Sequence, residues 1–239
     1  EILSERAASI IADQILLKPD SVLGLATGST PIGTYRQLVN KHKSGILDFS
    51  KITTFNLDEY FPILKDNDQS YVYFMHENLF KHVNINPKNI HIPNGEASDP
   101  KVECAFYEEK MQSYEIDLQI LGLGANGHIG FNEPSEHFQL KTHHVELDSE
   151  TINSNARFFN SIDDVPKSAL TMGIGAIMNA KHVLLVINGA HKAEIAAKIL
   201  FDDITPKIPG SILQLHPNVT VILDEAASEI VEKRLKELK

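Results

Sequence analysis

The chain has a single cysteine, Cys104, among 239 residues, so no internal disulfide can form. That usage points to a reducing compartment, and the expected localisation is cytoplasmic. No long hydrophobic run is present either. The longest, such as Val183 to Ile187, is far too short to cross a bilayer, so no membrane partner is expected. No charged-then-apolar leader precedes Ser4, which argues against a secretory signal, while Glu at position 1 leaves open a trimmed N-terminus and a missing opening strand. Basic residues are outnumbered, 22 Lys and Arg against 32 Asp and Glu, for a net charge of -10. A nucleic-acid partner needs a basic stripe and is not expected. A small anion is not excluded, because charges farther apart than about 10 Å are largely screened at cellular salt.

Repeats, low-complexity tracts and long Pro/Gly-rich linkers are also missing, so residues 1–239 read as one domain. What is there suffices for a sizeable core, with 42% hydrophobic and 23% charged residues. Short β-branched runs alternate with helical patterns. Strands are expected at Ser21–Ala26, Ile52–Asp58, Asn89–Pro93, Asp117–Gly124, His143–Leu147, His182–Asn188 and Val219–Asp224. VLGLA, LQILGLG, HVLLVIN and VTVIL are apolar at nearly every position, as suits strands covered on both faces. Helices are expected at Ser4–Leu17, Thr34–His42, Ser70–His82, Pro100–Tyr114, Lys167–Asn179, Lys192–Phe201 and Ala226–Leu238. This alternation predicts an α/β fold, a doubly wound and mostly parallel sheet with helices on both faces. Ligands bind such sheets beyond the carboxyl ends of the strands.

VLGLA is followed by Thr27-Gly28-Ser29-Thr30-Pro31 and a helix. Such a turn can present backbone N–H groups to an anion, although an ordinary capped turn would read the same. It lacks GK[ST] and is no Walker loop. After ITTFNL come Asp58 and Glu59, either a solvated pair or a general base beside a cleft, with one acid turned inward and one outward. Phe61–Ser70 beyond them reads as a surface loop or a lid.

DLQIL leads into GLGANGHIGFNEP, whose glycines spell G-x-G-x-x-G, with Asp148 about twenty residues on. The dinucleotide fingerprint also requires a regular helix from the third glycine, and Pro134 among clustered polar residues makes one untenable. What remains is a glycine-rich strand end carrying His128, with Asn126 and Glu133 close enough to orient its ring. Most of the eleven histidines are ordinary surface residues; His128 stands out by its setting alone. Arg157, in NSNARFFN, and Lys192, at the head of an Ala-rich helix, are cations at element junctions. A lysine in a first helical turn opposes the helix dipole, which a bound phosphate would justify, while a solvated lysine is the plain alternative. No metal site is expected, since neither HExxH nor paired cysteines occur and His143-His144 are adjacent.

From about Leu23 to Asp224 the sequence resembles the glucosamine-6-phosphate deaminase (isomerase) family, through LGLATGSTP, TFNLDEY, SYVYFMHENLF, LGLGANGHIGFNEP, NARFF, VPKSALTMGIG and GAHKA in that order. The resemblance implies a Rossmann-like fold and conversion of glucosamine 6-phosphate and water to fructose 6-phosphate and ammonia, without a cofactor. It implies that Asp58 moves a proton between C2 and C1, that His128 assists ring opening, and that Glu133 orients the histidine. It gives the phosphate to Thr27, Gly28, Ser29, Thr30, Arg157 and Lys192.

Two departures stand out. Asn126 occupies a position where some members carry an aspartate that completes an Asp–His–Glu set. In large hexameric members an arginine and a lysine, spaced R-x-K after NEP, bind the activator N-acetylglucosamine 6-phosphate, and here those positions hold His143 and Val145. A monomeric, non-allosteric enzyme is therefore expected. The rival family, 6-phosphogluconolactonase, carries a similar GH loop but continues toward Ser-Leu-Phe-Pro rather than Asn-Glu-Pro. A non-catalytic sugar-phosphate sensor would need the phosphate contacts but not Asp58, His128 and Glu133.

Overall fold

The computed structural model describes residues 1–237. Six strands form one parallel sheet in the order β4-β2-β1-β5-β8-β9, namely Ile90–His91, Thr53–Asn56, Val22–Leu25, Leu118–Leu121, Val183–Ile187 and Val219–Leu223. Helices cover both sides: α1 (Ile2–Leu17), α2 (Ile32–Lys43), α3 (Tyr71–Asn78), α4 (Pro100–Gln112), α7 (Ala193–Phe201) and α8 (Glu225–Glu237), joined by the short α5 (Ser149–Asn155) and α6 (Ile174–Met178). Leu238, the last residue of the expected final helix, lies outside the described residues. No helix among the described residues is long and apolar enough to cross a membrane.

The all-apolar runs are central strands because both of their faces are buried, as in β8, where every residue is buried. Gly24 in β1 has a packing reason. A Cβ there would lie 1.9 Å from Oε1 of Gln119, its neighbour on β5. The chain runs outward from β1 through β2 to β4, then returns to lay β5 against the other side of β1. That reversal opens a crevice at the carboxyl ends of β1 and β5.

Three expectations fail, all at one place. Ile52–Asp58 is not one strand: β2 ends at Asn56, and Asp58 begins β3 (Asp58–Phe61) in a second sheet. His143–Leu147 does not join the parallel sheet, since β6 (His143–Glu146) pairs antiparallel with β7 (Ser168–Thr171), which also pairs with β3. Lys167–Asn179 is therefore strand first and helix only from Ile174. Leu170, Ile174 and Ile177 do keep a helical spacing, but β7 is buried at every residue between two partners, and that pairing overrides the local pattern. Gly173 enforces the break, because a Cβ there would fall 2.3 Å from the Lys141 carbonyl oxygen. Pairing in this sheet aligns Asp58, Thr171 and His143.

Candidate active site

A cleft of about 430 Å³ opens at the ends of β1 and β5, between the Thr27–Thr30 turn, Asp58, the Gly122–His128 segment, α5 and the Arg157 and Lys192 side chains. Nine of the ten residues singled out from the sequence line it: Thr27, Gly28, Ser29, Thr30, Asp58, Asn126, His128, Arg157 and Lys192. The tenth, Glu133, stands behind His128. A larger hollow of about 820 Å³, walled by residues from 62–69, 95–97 and 158–166, contains none of them.

Asp58 is 6% exposed. Its carboxyl is pushed up to about 8, first by burial and then by the charge of Glu59. Glu59 does not turn outward to water. It is 1% exposed, and its carboxylate accepts from the backbone N–H groups of Tyr60 (2.9 Å), Tyr71 (2.8 Å) and Val72 (3.0 Å). Side chains alternate along a strand, so adjacent acids part company, but here both sides are packed. Burial carries Glu59 up to about 7 against the pull of the three donors. The two acids thus have distinct tasks: Asp58 faces the cleft, and Glu59 ties β3 to the first turn of α3.

The glycine-rich segment folds back on itself, with Gly124 N–H donating to the His128 carbonyl (2.9 Å) and Gly127, at φ +87, donating to the Gly124 carbonyl (3.1 Å). His128 lies directly over Gly124, where a Cβ would meet the ring at 2.4 Å. The glycines are there for this close approach, not for a pyrophosphate. Nδ1 of His128 faces Oε2 of Glu133 at 3.3 Å, and the Asn126 side-chain amide donates to that oxygen at 2.8 Å. Burial pushes the Glu133 carboxyl up, but its bonds with His128, Thr151 and Asn126 outweigh this and hold it below the ordinary value. A carboxylate placed so accepts from Nδ1–H and leaves Nε2 free for proton exchange.

At the other end Gly28 takes φ +89 and Thr30 Oγ1 donates to Asn188 Oδ1 at 2.7 Å, fixing the turn before α2. Arg157 Nη2 donates to Ser29 Oγ at 3.1 Å, and Lys192 Nζ donates to the Leu123 carbonyl. Lys192 is drawn down to about 8, mostly by burial and then by Arg157. Two neighbouring cations thus stand above a turn of hydroxyls and a glycine, a combination whose chemistry could accept a dianion. Among the described residues, no group of three or more His, Cys, Asp and Glu side chains is placed to hold a metal.

Sequence reasoning missed Tyr71, Thr151 and Asn155, which also line the cleft. Tyr71 reads as part of an amphipathic helix, and α5 has too polar a sequence to announce itself as a packed element.

Residues 1–222 match the family model described as glucosamine-6-phosphate isomerases/6-phosphogluconolactonase. The glucosamine-6-phosphate deaminase of Clostridioides difficile (strain 630) is 56% identical over 227 residues, covering 95% of this chain and 91% of the relative. That of Thermoanaerobacter pseudethanolicus is 52% identical over 240 residues, 100% of this chain and 95% of the relative. A solved monomeric glucosamine-6-phosphate deaminase superposes with a TM-score of 0.93 at 49% identity, over 95% of each chain. The 6-phosphogluconolactonase of Thermotoga maritima, 23% identical with a TM-score of 0.68 over 90% of this chain and 94% of its own, shares the fold.

Proposed function

This chain belongs to the glucosamine-6-phosphate isomerase/6-phosphogluconolactonase family, and from that membership we propose that it is a glucosamine-6-phosphate deaminase. It converts glucosamine 6-phosphate and water to fructose 6-phosphate and ammonia. The observation that carries this reading is the shared cleft: a buried carboxylate, Asp58, and a carboxylate-backed imidazole, His128, open onto one cavity whose far end holds Arg157 and Lys192. Identity above 50% to relatives named as deaminases, against 23% to the lactonase structure, favours amino-sugar chemistry over lactone hydrolysis.

In this reading the phosphate rests between the Thr27–Thr30 turn, Arg157 and Lys192. It lies away from the reacting carbons, so its binding energy can hold the opened chain in register. His128, through its unprotonated Nε2, takes the O1 proton and returns it to the ring oxygen as the C1–O5 bond breaks, and the pyranose opens. Asp58 then takes the proton from C2 and delivers it to C1 of the enolamine, and ammonia departs as water adds at C2. A carboxyl near pH 8 is a far better base for a carbon acid than an ordinary aspartate, and burial supplies that displacement. Glu133, itself held by Asn126, orients the imidazole. Acid–base groups suffice for every step.

The protein acts as a monomer without allosteric activation. In support, the R-x-K positions hold His143 and Val145, and burial lowers the His143 imidazole, which disfavours the charge an anion would need. Rates should be hyperbolic in substrate and indifferent to N-acetylglucosamine 6-phosphate; sigmoidal kinetics relieved by that compound would overturn this point. For the main reading, the test is to mix the protein with glucosamine 6-phosphate and measure ammonia together with fructose 6-phosphate. Equimolar release supports it. Hydrolysis of 6-phosphogluconolactone with no ammonia from the amino sugar would replace it with the rival.

A further inference from the structure

His128 has a third polar neighbour beside Glu133 and the cleft. Thr151, in the middle of α5, is 3% exposed, and its Oγ1 stands 3.3 Å from Nδ1 of His128. The Glu133 carboxylate, which Thr151 helps to hold below its ordinary value, faces the same ring nitrogen at 3.3 Å. Three groups therefore meet in a triangle, with the imidazole nitrogen at one corner, a carboxylate oxygen at the second and a hydroxyl at the third.

The protons in that triangle can be assigned from what each group is able to do. Glu133, held below its ordinary value, is ionised and accepts only. Nδ1 of His128 faces it and must carry hydrogen. The threonine hydroxyl has one hydrogen and two lone pairs. It donates to Glu133 and turns a lone pair toward Nδ1–H, so the ring hydrogen has two acceptors. Asn126 cannot take that place, because its amide already donates to Oε2 of Glu133 and its own oxygen accepts from the His128 backbone N–H at 3.2 Å. Without Thr151, the ring would be held through a single 3.3 Å contact to an oxygen shared with Asn126.

Thr151 also joins the two ends of the cleft. The N–H of Asp148, which caps α5, lies 3.4 Å from Oε1 of Glu133, and the helix runs directly into the turn that carries Arg157. This short helix and the turn that follows it thus supply the hydroxyl at the imidazole and the cation above Ser29.

We propose that Thr151 is a positioning residue for ring opening: its hydroxyl, together with Glu133, locks His128 in the Nδ1–H tautomer so that Nε2 is the basic nitrogen presented to the sugar. A bystander that only fills space under α5 would be indifferent to exchange of its hydroxyl for a methyl group, and valine has the same shape. The kinetic part rests on the deaminase reading; the tautomer part does not.

The test compares Thr151→Val and Thr151→Ser with the parent. Turnover and KM are measured with glucosamine 6-phosphate, and the ring nitrogens of His128 are observed by ¹⁵N NMR in the ligand-free protein. The valine variant is expected to lose about tenfold to a hundredfold in kcat, with KM changed by less than about threefold. Its ring spectrum should move from a pure Nδ1–H pattern toward a tautomer mixture, and the serine variant should restore both. A valine variant with parental kcat and an unchanged ring spectrum overturns the proposal, as does serine behaving no better than valine. If the parent releases no ammonia, the deaminase reading fails, while the ring spectra still decide the role of Thr151.

Discussion

Asn126 Nδ2 and His128 Nδ1 converge on one oxygen, Oε2 of Glu133, at 2.8 Å and 3.3 Å. That oxygen therefore faces two donors, only one of which can change its charge. Asn126→Asp would replace a neutral donor by a second carboxylate at the same spot, and two negative neighbours favour the imidazolium more than one. The variant should remain active, because an aspartate oxygen can still accept from the His128 backbone N–H as the Asn126 oxygen does. Rates measured from about pH 5 to about pH 10 check this, and a folded but inactive variant would contradict the assignment of His128.

Asp58 carries its own pH signature. Its folded value, about 8, lies above the ordinary 3.8, so the folded chain binds that proton more tightly than the unfolded chain does. Stability from this group therefore falls as pH rises between those two values, and the full penalty stands above the higher one. Asp58→Asn removes the penalty while removing the base. Activity should drop at least about 100-fold. The displacement is worth at most about 6 kcal/mol, and unmet bonds of the buried amide reduce it. A gain of about 2 kcal/mol at alkaline pH, or about 4–8 °C in Tm, is expected, vanishing below about pH 4. Calorimetry across pH settles it; a variant less stable than the parent at alkaline pH refutes the burial account.

Glu59 supports geometry rather than chemistry. Glutamine offers one acceptor oxygen where the carboxylate offers two, and its amide would confront the Val72 N–H. Glu59→Gln should cost about 1–3 kcal/mol. Because Tyr71 begins α3 and lines the cleft, KM should rise as well. Denaturant titration and steady-state kinetics on one preparation test both. Parental stability would mean that the three backbone bonds contribute nothing net.

Lys192 predicts the alkaline limb. Its charge is lost as pH rises through about 8, whereas Asp58 must be ionised to act as a base. The kcat/KM profile, which reports the free enzyme, should be a narrow bell near pH 8. Arg157→Ala should raise KM for glucosamine 6-phosphate by about tenfold or more, because a guanidinium–phosphate contact is worth at least about 1.4 kcal/mol. Its effect on glucosamine lacking the phosphate should be small. An equal loss with both sugars would remove Arg157 from the phosphate site.

The parallel sheet was legible because VLGLA, LQILGLG, HVLLVIN and VTVIL are apolar throughout, and a strand buried on both faces permits little else. The second sheet was not. DEYF, HHVE and SALT are short and mixed, and their pairing joins residues over a hundred positions apart, Asp58 with Thr171. No local pattern encodes such a contact. At the site, the turn after β1 and the glycine-rich loop were legible because each needs glycine for a stated backbone reason. Thr151 was not, since a threonine in a polar helix looks like surface until Glu133 and His128 close over it.

The amino-acid sequence by itself determined the alternation of strands and helices, the crevice at their ends and the kinds of side chain gathered around it. Those follow from periodicity and backbone sterics, which act over a few residues. Only the tertiary structure decided that Asp58 and Glu59 are both buried but serve different elements, and that His128, Glu133 and Thr151 meet in a triangle. Burial and the charge states it sets belong to packing between distant segments, and no stretch of chain carries them alone.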